Sequence, residues 1–428
     1  MSELLKARRG GSLRGLARIG GDKSCSHRAL ILAAMAEGET FVNGLSDCED
    51  VQRTVAALFA FGCTIEPQGD GWRVRSGPWA SPDTQIDCGN SGTTARLLMG
   101  AVAGMEGVSA TFAGDASLAK RPMRRVSEPL RRMGAEIDEG DTLPLSITGR
   151  RLGGIDHQNV PASAQVKSAL LLAGLSTDAP VRIVEPIQSR DHSEIMLAEF
   201  GATVVREDGS VELGECRELR GTTIEIGADP SSAAYPILGA AIVPGSDVTV
   251  LGMNVNPLRT GFVEQLERMS AGLQLSNESV KSGEIVADVR VRHSPMQSCH
   301  VTSELVPAMI DEIPALAVAC AFADGESVIE GLGELRVKES DRLGALVAGL
   351  TACGVAAVVR DDSLHIFGRG SVRGGATVST HGDHRIAMAF LTLGLASEEP
   401  VTIDRAEMIA TSFPGFVEVM RGLGADIA

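Results

Sequence analysis

Eight cations stand beside apolar runs in this sequence. Lys23 and Arg28 lie in "DKSCSHR", Arg96 in "GNSGTTAR", Arg121 in "AKRPMRR", Arg190 in "SRDHSE", Lys338 and Arg342 in "LRVKESDR", and Arg385 in "GDHR". A guanidinium fork matches a carboxylate or phosphate bidentately, and an ammonium supplies a point charge. The set suits ligands that carry several negative charges. Two carboxylates are interleaved with it: Glu339 directly follows Lys338, and Asp311 with Glu312 precedes "IPALAVACAFA". A carboxylate among cations can work as acid or base, because neighbouring charges move its pKa. It can equally be a structural ion-pair partner, and spacing leaves both readings open. For the cations the competing reading is a solvated face, which suits Arg124, Arg125, Arg131 and Arg132.

Other chemistries fit less well. "GLARIGGDKS" breaks the G-x-x-x-x-G-K-S/T phosphate-loop pattern, because Gly21 and Asp22 intervene before Lys23. His381, Asp383 and His384 could hold a metal, but no third cluster has ligand spacing, and helix capping or core packing is the simpler account; no metal is expected. Of the eight scattered cysteines, Cys25 beside Lys23 is the one whose setting could activate a thiol.

The elements that must position these residues recur. A polar cluster precedes an Ala/Leu/Gly-rich run six times: "SHRALILAAMA", "GTTARLLMGAVAG", "SAQVKSALLLAGL", "DPSSAAYPILGAAIV", "DEIPALAVACAFA" and "DHRIAMAFLTLGLA". A short β-like run follows each, such as "ETFVNGL" or "PVRIVEP". Then comes an amphipathic helix ending "FGCTI", "MGAEI", "FGATV", "CGVAA" or "LGADI"; the fourth copy, "ERMSAGLQL", is looser. The period of about 70 residues exceeds that of solenoid repeats. Each copy therefore reads as a β-α-β-α-β module, and six copies make two domains of three. A helix apolar all round must be buried all round. The first helix of each module is thus placed inside, with sheets and second helices outside. Side by side, such helices gather their N-termini on one face, where free N–H groups and dipole ends suit anions. Capping alone would explain the Ser, Asp and Asn residues there. It does not explain Lys and Arg, which the dipole disfavours unless an anion intervenes.

Composition narrows the classes. The chain has 428 residues, with 39 Lys plus Arg against 55 Asp plus Glu, a net charge of −16 and 3% aromatics. Nucleic-acid binding, which needs basic stripes and stacking rings, is not expected. The cysteines contain no CxxC pair and do not form a disulfide framework. The start "MSELLKARRGG" lacks the apolar stretch of a signal peptide, and no apolar run reaches the roughly 18 residues of a membrane span. A cytoplasmic protein that does not bind membranes is expected. The segment from Met1 to about Gly15 is expected to be disordered.

Together the segments "DKSCSHRALILAA", "CGNSGTTARLL", "KRPM", "SAQVKSALLLAGL", "SRDHSE", "DPSSAAYP", "DEIPALAVACAFADG", "LRVKESDRL", "GDHRIAMAF" and "TSFPGF" closely resemble the 5-enolpyruvylshikimate-3-phosphate synthase family, in order from about Gly20 to the C-terminus. The resemblance implies a two-domain inside-out α/β barrel, each domain three βαβαββ units with buried helices. It implies a discontinuous domain of residues 1–22 plus 228–428, an inserted domain of residues 23–227, and an active site in the cleft between them that anionic ligands draw shut. It implies transfer of the enolpyruvyl group of phosphoenolpyruvate to the 5-hydroxyl of shikimate 3-phosphate, with phosphate released, no cofactor and a monomeric state.

Carried over by motif, Lys23, Gly92, Arg121, Gln165, Arg342 and Arg385 would hold phosphoenolpyruvate. Ser24, Arg28, Ser163, Gln165, Arg190, Asp311 and Lys338 would hold shikimate 3-phosphate, with Gln165 reaching both. Lys23, Asp311 and Glu339 would be catalytic. Thr411 departs from members that carry Lys before the "T/S-F-P" turn, so the phosphate site loses one cation or draws it from elsewhere. Gly92, where resistant members carry Ala, implies sensitivity to glyphosate. The rivals are a UDP-N-acetylglucosamine enolpyruvyl transferase and a non-catalytic phospho-ligand module. "KSCSHR", "RVKESDR" and the lack of a convincing loop Cys weigh against the first; Glu339 and Asp311 among the cations weigh against the second.

Overall fold

The structure is a computed structural model and describes residues 3–428. The chain divides into two units. A split unit comprises the residues up to Gly20 with Gly227–Ser279 and Ile285–Ala428. A central unit comprises Gly21–Ile226 with Val280–Glu284. Each has its own apolar core.

Six four-stranded sheets repeat one topology, three to a unit. The copy around Gly92 shows why. Ile86–Asp87 pairs parallel with Ser109–Ala113, which pairs antiparallel with Leu145–Thr148, and Glu136–Ile137 closes the order antiparallel to that strand. A parallel pair needs a crossover, and the helix Gly92–Ala103 supplies it. The amphipathic helix Arg124–Met133 then leads to a hairpin, which completes βαβαββ. This is the inside-out arrangement that the periodicity and the resemblance imply.

Three copies take a strand from far along the chain. Thr223–Glu225 lies parallel to Glu39–Asn43, and Arg14–Ala17 parallel to Asp247–Asn254. Leu5–Arg8 lies antiparallel to both Val401–Ile403 and Asp426–Ile427, with Leu5 opposite Ile403 and Ala7 opposite Ile427. The expected disorder at the start of the chain is therefore corrected: the short segment turns Ala7 into the core and finds its partners almost 400 residues on. Met1 and Ser2, the first residues of that expectation, lie outside the described residues.

The six crossover helices are the buried ones. Every residue of Pro230–Ile242, Ile313–Phe322 and His384–Gly394 is buried, and these three helices pack on one another in the split unit. In the central unit Lys23–Met35 is buried from Cys25 to Ala34 and packs on Gly92–Ala103, which packs on Ala164–Gly174. The last two approach so closely that a Cβ on Gly100 would lie 2.3 Å from the Ala169 carbonyl oxygen.

The repeated G in "FGCTI" and its relatives also has its reason. Past each outer helix the chain turns left-handed, at Gly62, Gly134, Gly201, Gly354 and Gly424, with φ of +86 to +110°. Glycine enters that region without a Cβ clash and lets the turn satisfy the last helical carbonyls. In the looser fourth copy Ser270 takes the place with φ +72°, so the turn survives the loss of glycine.

Candidate active site

Five of the six buried helices begin on capping side chains, and the N-cap Glu312 of Ile313–Phe322 makes no such bond. Asp22 accepts from Cys25 N–H at 3.0 Å, Ser91 from Thr94 at 3.2 Å, Ser163 from Val166 at 3.5 Å, Asp229 from Ser231 at 2.7 Å and Asp383 from Arg385 at 2.9 Å. Capping therefore accounts for these Ser and Asp residues. None of the six helices carries an acidic residue in its first turn, although the dipole favours one there. Four of the outer helices do: Glu49 and Asp50, Glu194, Glu264, and Glu418. Four of the buried helices carry cations within their first two turns instead: Lys23 and Arg28, Arg96, Lys167, and Arg385.

In the central unit two groups form. Lys23, the first residue of its helix, pairs with Asp50 at 2.7 Å. Arg28 is buried; its Nε donates to Ser193 Oγ and its Nη2 to Ser168 Oγ, both at 2.7 Å, and its Nη1 to the Ser24 carbonyl at 2.8 Å. Burial pulls the Arg28 pKa down, and Arg190 is near enough to pull it the same way. The second group surrounds Gly92. Gln165 Nε2 donates to Thr93 Oγ1 at 2.9 Å, and Arg121 Nη2 donates to Asn90 Oδ1 at 2.5 Å and Ser117 Oγ at 3.3 Å. A chain of hydroxyls joins the two groups: His27 Nδ1 to Thr54 Oγ1 at 2.7 Å, Thr54 to Thr94 at 2.8 Å, and Thr94 to Ser91 at 2.7 Å.

His27 is fully buried behind Lys23. Burial first, then Lys23 and Arg28, holds its pKa well below the ordinary 6.5. The folded ring stays neutral while the unfolded chain takes a proton below about pH 6.5, so stability is lost as pH falls from there toward the depressed folded value. One proton changes stability by up to about 1.4 kcal/mol per pH unit. Urea unfolding at pH 7 and pH 5 should show a smaller acid loss in His27→Gln than in the parent; equal losses would refute this account.

In the split unit the cations converge on Asp311. Its Oδ1 lies 3.8 Å from Lys338 Nζ, 3.9 Å from Arg342 Nη1 and 3.8 Å from Arg385 Nε. Arg385 Nη1 donates to the Asp311 carbonyl at 3.1 Å. Arg342 is wholly buried: its Nε donates to Asp383 at 2.9 Å and its Nη2 to Glu339 at 2.5 Å. Burial alone would lower its pKa, but Asp383 and Glu339 reverse the sign and keep it charged. Burial likewise opposes the charge on Arg385, and Asp311 overcomes it, raising that pKa. Arg342 Nη1 is buried and has no hydrogen-bond partner. A buried donor of this kind costs stability unless a water, an ion or a ligand group accepts from it. Thr411 does not replace the missing lysine: it is buried, donating to the Met408 carbonyl at 2.7 Å beside His384 Nδ1 at 3.1 Å.

The predicted residues thus fall into Lys23, Ser24, Arg28, Gly92, Arg121, Ser163, Gln165 and Arg190 in one unit, and Asp311, Lys338, Glu339, Arg342 and Arg385 in the other. Arg124 is the solvated charge its neighbours suggested, paired with Glu128 at 2.9 Å. Several partners were missed. Asp50 and Asp383 hold Lys23 and Arg342. Buried Arg259 lies 3.5 Å from Asp229 and 3.9 Å from Glu312. Buried Lys167 pairs with Glu185 and Glu194, both at 2.7 Å. Cys25 is no exposed nucleophile: its thiol is buried, 3.5 Å from His192 Nδ1, which pairs with Glu284 at 2.6 Å. Among the described residues, Asp22, Cys25 and His192 bring metal-ligand atoms within 4.8 Å of one another. Asp22 is engaged as a cap and His192 with Glu284. Asp383, once a candidate ligand, caps its helix and pairs with Arg342.

A family model for EPSP synthase (3-phosphoshikimate 1-carboxyvinyltransferase) matches residues 7–420. The chain is 52% identical over 432 residues to 3-phosphoshikimate 1-carboxyvinyltransferase of Phenylobacterium zucineum, covering 99% of this chain and 95% of the relative. It is 51% identical over 438 residues to the protein of that name from Caulobacter vibrioides, covering 99% and 98%. The solved structure of EPSP synthase from Acinetobacter baumannii superposes with a TM-score of 0.88 at 39% identity, over 100% of this chain and 99% of that one.

Proposed function

The chain belongs to the EPSP synthase family, and from that premise we propose how its residues share the work. The reaction is transfer of the enolpyruvyl group of phosphoenolpyruvate to the 5-hydroxyl of shikimate 3-phosphate, with release of phosphate, a step of aromatic amino-acid biosynthesis. We assign the two units as its two domains.

Lys23, Gly92, Arg121, Gln165, Arg342 and Arg385 hold phosphoenolpyruvate; Ser24, Arg28, Ser163, Gln165, Arg190, Asp311 and Lys338 hold shikimate 3-phosphate. Glu339 delivers a proton to the methylene carbon while the 5-hydroxyl attacks the adjacent carbon and gives its own proton to Asp311. The tetrahedral adduct then expels phosphate, and the methyl carbon returns its proton to Glu339. Lys23 assists at the hydroxyl or at the departing phosphate. The cations supply positioning and charge stabilisation. The observation that carries this assignment is Arg342: a buried guanidinium, fixed on Asp383 and Glu339, with Nη1 left to donate.

Phosphate release measured with phosphoenolpyruvate plus shikimate 3-phosphate, and separately plus UDP-N-acetylglucosamine, tests the reading. Release is expected only with the first pair; release only with the second would overturn it. No helix among the described residues is long and apolar enough to cross a membrane; we assign the chain to the cytoplasm, as a monomer. With Gly at position 92 we also expect glyphosate to inhibit, and full activity at millimolar glyphosate would contradict that.

A further inference from the structure

Arg96 belongs to the cation set but has no substrate role in the assignment above. It lies one turn beyond Gly92 on the Gly92–Ala103 helix and is half-buried. Its Nη1 donates to Gln165 Oε1 at 2.8 Å, across to the neighbouring Ala164–Gly174 helix, and its Nη2 to the Pro122 carbonyl at 3.1 Å. Gln165 is therefore held from both ends, since its Nε2 donates to Thr93 Oγ1 at 2.9 Å. An amide so fixed cannot exchange its donor and acceptor ends without losing both bonds. The same guanidinium crowds position 92, where a Cβ would stand 2.6 Å from Arg96 Nη1.

We propose that Arg96 is a positioning residue: its fork, anchored on Pro122, fixes the Gln165 amide for substrate, and glycine at position 92 leaves that fork its place. A lysine could not serve equally, because a point charge cannot make both bonds in one plane. The inference rests on the assignment of Gln165 to substrate binding.

The test is phosphate release by the full chain with phosphoenolpyruvate varied at saturating shikimate 3-phosphate, in Arg96→Met, Gln165→Ala and the double variant. Arg96→Met should lower kcat/KM for phosphoenolpyruvate about tenfold, the scale of a hydrogen bond from a charged donor. In the Gln165→Ala background the same change should cost less than about twofold, because residues that act as one do not add. Arg96→Met should also cost less in a Gly92→Ala background, where the new methyl has already displaced the fork. A purely structural brace would cost the same factor in every background, and that result overturns the inference. If Gln165→Ala alone leaves kcat/KM unchanged, the substrate assignment of Gln165 fails and the inference falls with it. Should Arg96→Met not fold, Arg96→Lys carries the same cycle, with a smaller loss expected.

Discussion

Asp311→Asn is expected to lower kcat by about 10²- to 10⁴-fold, the range for losing a positioned general base, and to lower the urea midpoint as well, because Asp311 is the foremost group that keeps buried Arg385 charged. The amide keeps the size and polarity of the carboxylate but cannot take the hydroxyl proton. A role as counter-ion alone predicts that stability falls while the surviving folded enzyme turns over normally, so turnover separates the two readings. Lys338, Arg342 and Arg385 stand 3.8 to 3.9 Å from Asp311 Oδ1, and the cations that would hold both substrates thus surround the carboxylate assigned as base. Arg342 has its nearer carboxylates in Asp383 and Glu339. A kcat within about tenfold of the parent would refute the assignment, because a catalytic base contributes more than that.

What the sequence disclosed and what it hid divide by range along the chain. The six buried helices were legible because being apolar all round is a property of contiguous residues. So were the left-handed turns, since glycine there answers a local backbone demand. Lys338, Glu339 and Arg342 were legible as a group because they fall within five residues of one another, just before and at the start of the Arg342–Ala352 helix. The partners were not. Lys23 meets Asp50, 27 positions on, and Arg342 meets Asp383, 41 positions on. Nothing local marks either aspartate, since Asp50 resembles any acidic residue at a helix start and Asp383 any cap. The buried networks of Lys167 with Glu185 and Glu194, and of Arg259 with Asp229 and Glu312, depend on which helices become neighbours. Charge pattern within one segment does not carry that information. The N-terminal strand is the extreme case: four residues with a weak alternation become a strand only because Val401–Ile403 and Asp426–Ile427 leave a place between them.

The second large effect is expected at Arg342, and it separates structure from chemistry within one side chain. Arg342→Met removes a charge that faces both Asp383 and Glu339 at bonding distance, and takes from the wholly buried Asp383 the guanidinium paired with it. Breaking a buried pair from one side costs about 3–5 kcal/mol. The loss should show as a lower urea midpoint, and as lost hydrogen-exchange protection in Arg342–Ala352 and His384–Gly394 but not in Lys23–Met35, which belongs to the other unit. Arg342→Lys restores a positive charge among the carboxylates and should recover most of that stability. It should not recover activity, because an ammonium held by Asp383 and Glu339 has no third arm where Nη1 now points, and a fork is what grips a carboxylate or phosphate in two places. The kcat/KM for phosphoenolpyruvate should therefore stay at least about 100-fold down, the scale of a lost charged contact to substrate. If Arg342→Lys regains both stability and turnover, Arg342 is a structural ion-pair residue and the phosphoenolpyruvate site must be built from the remaining cations.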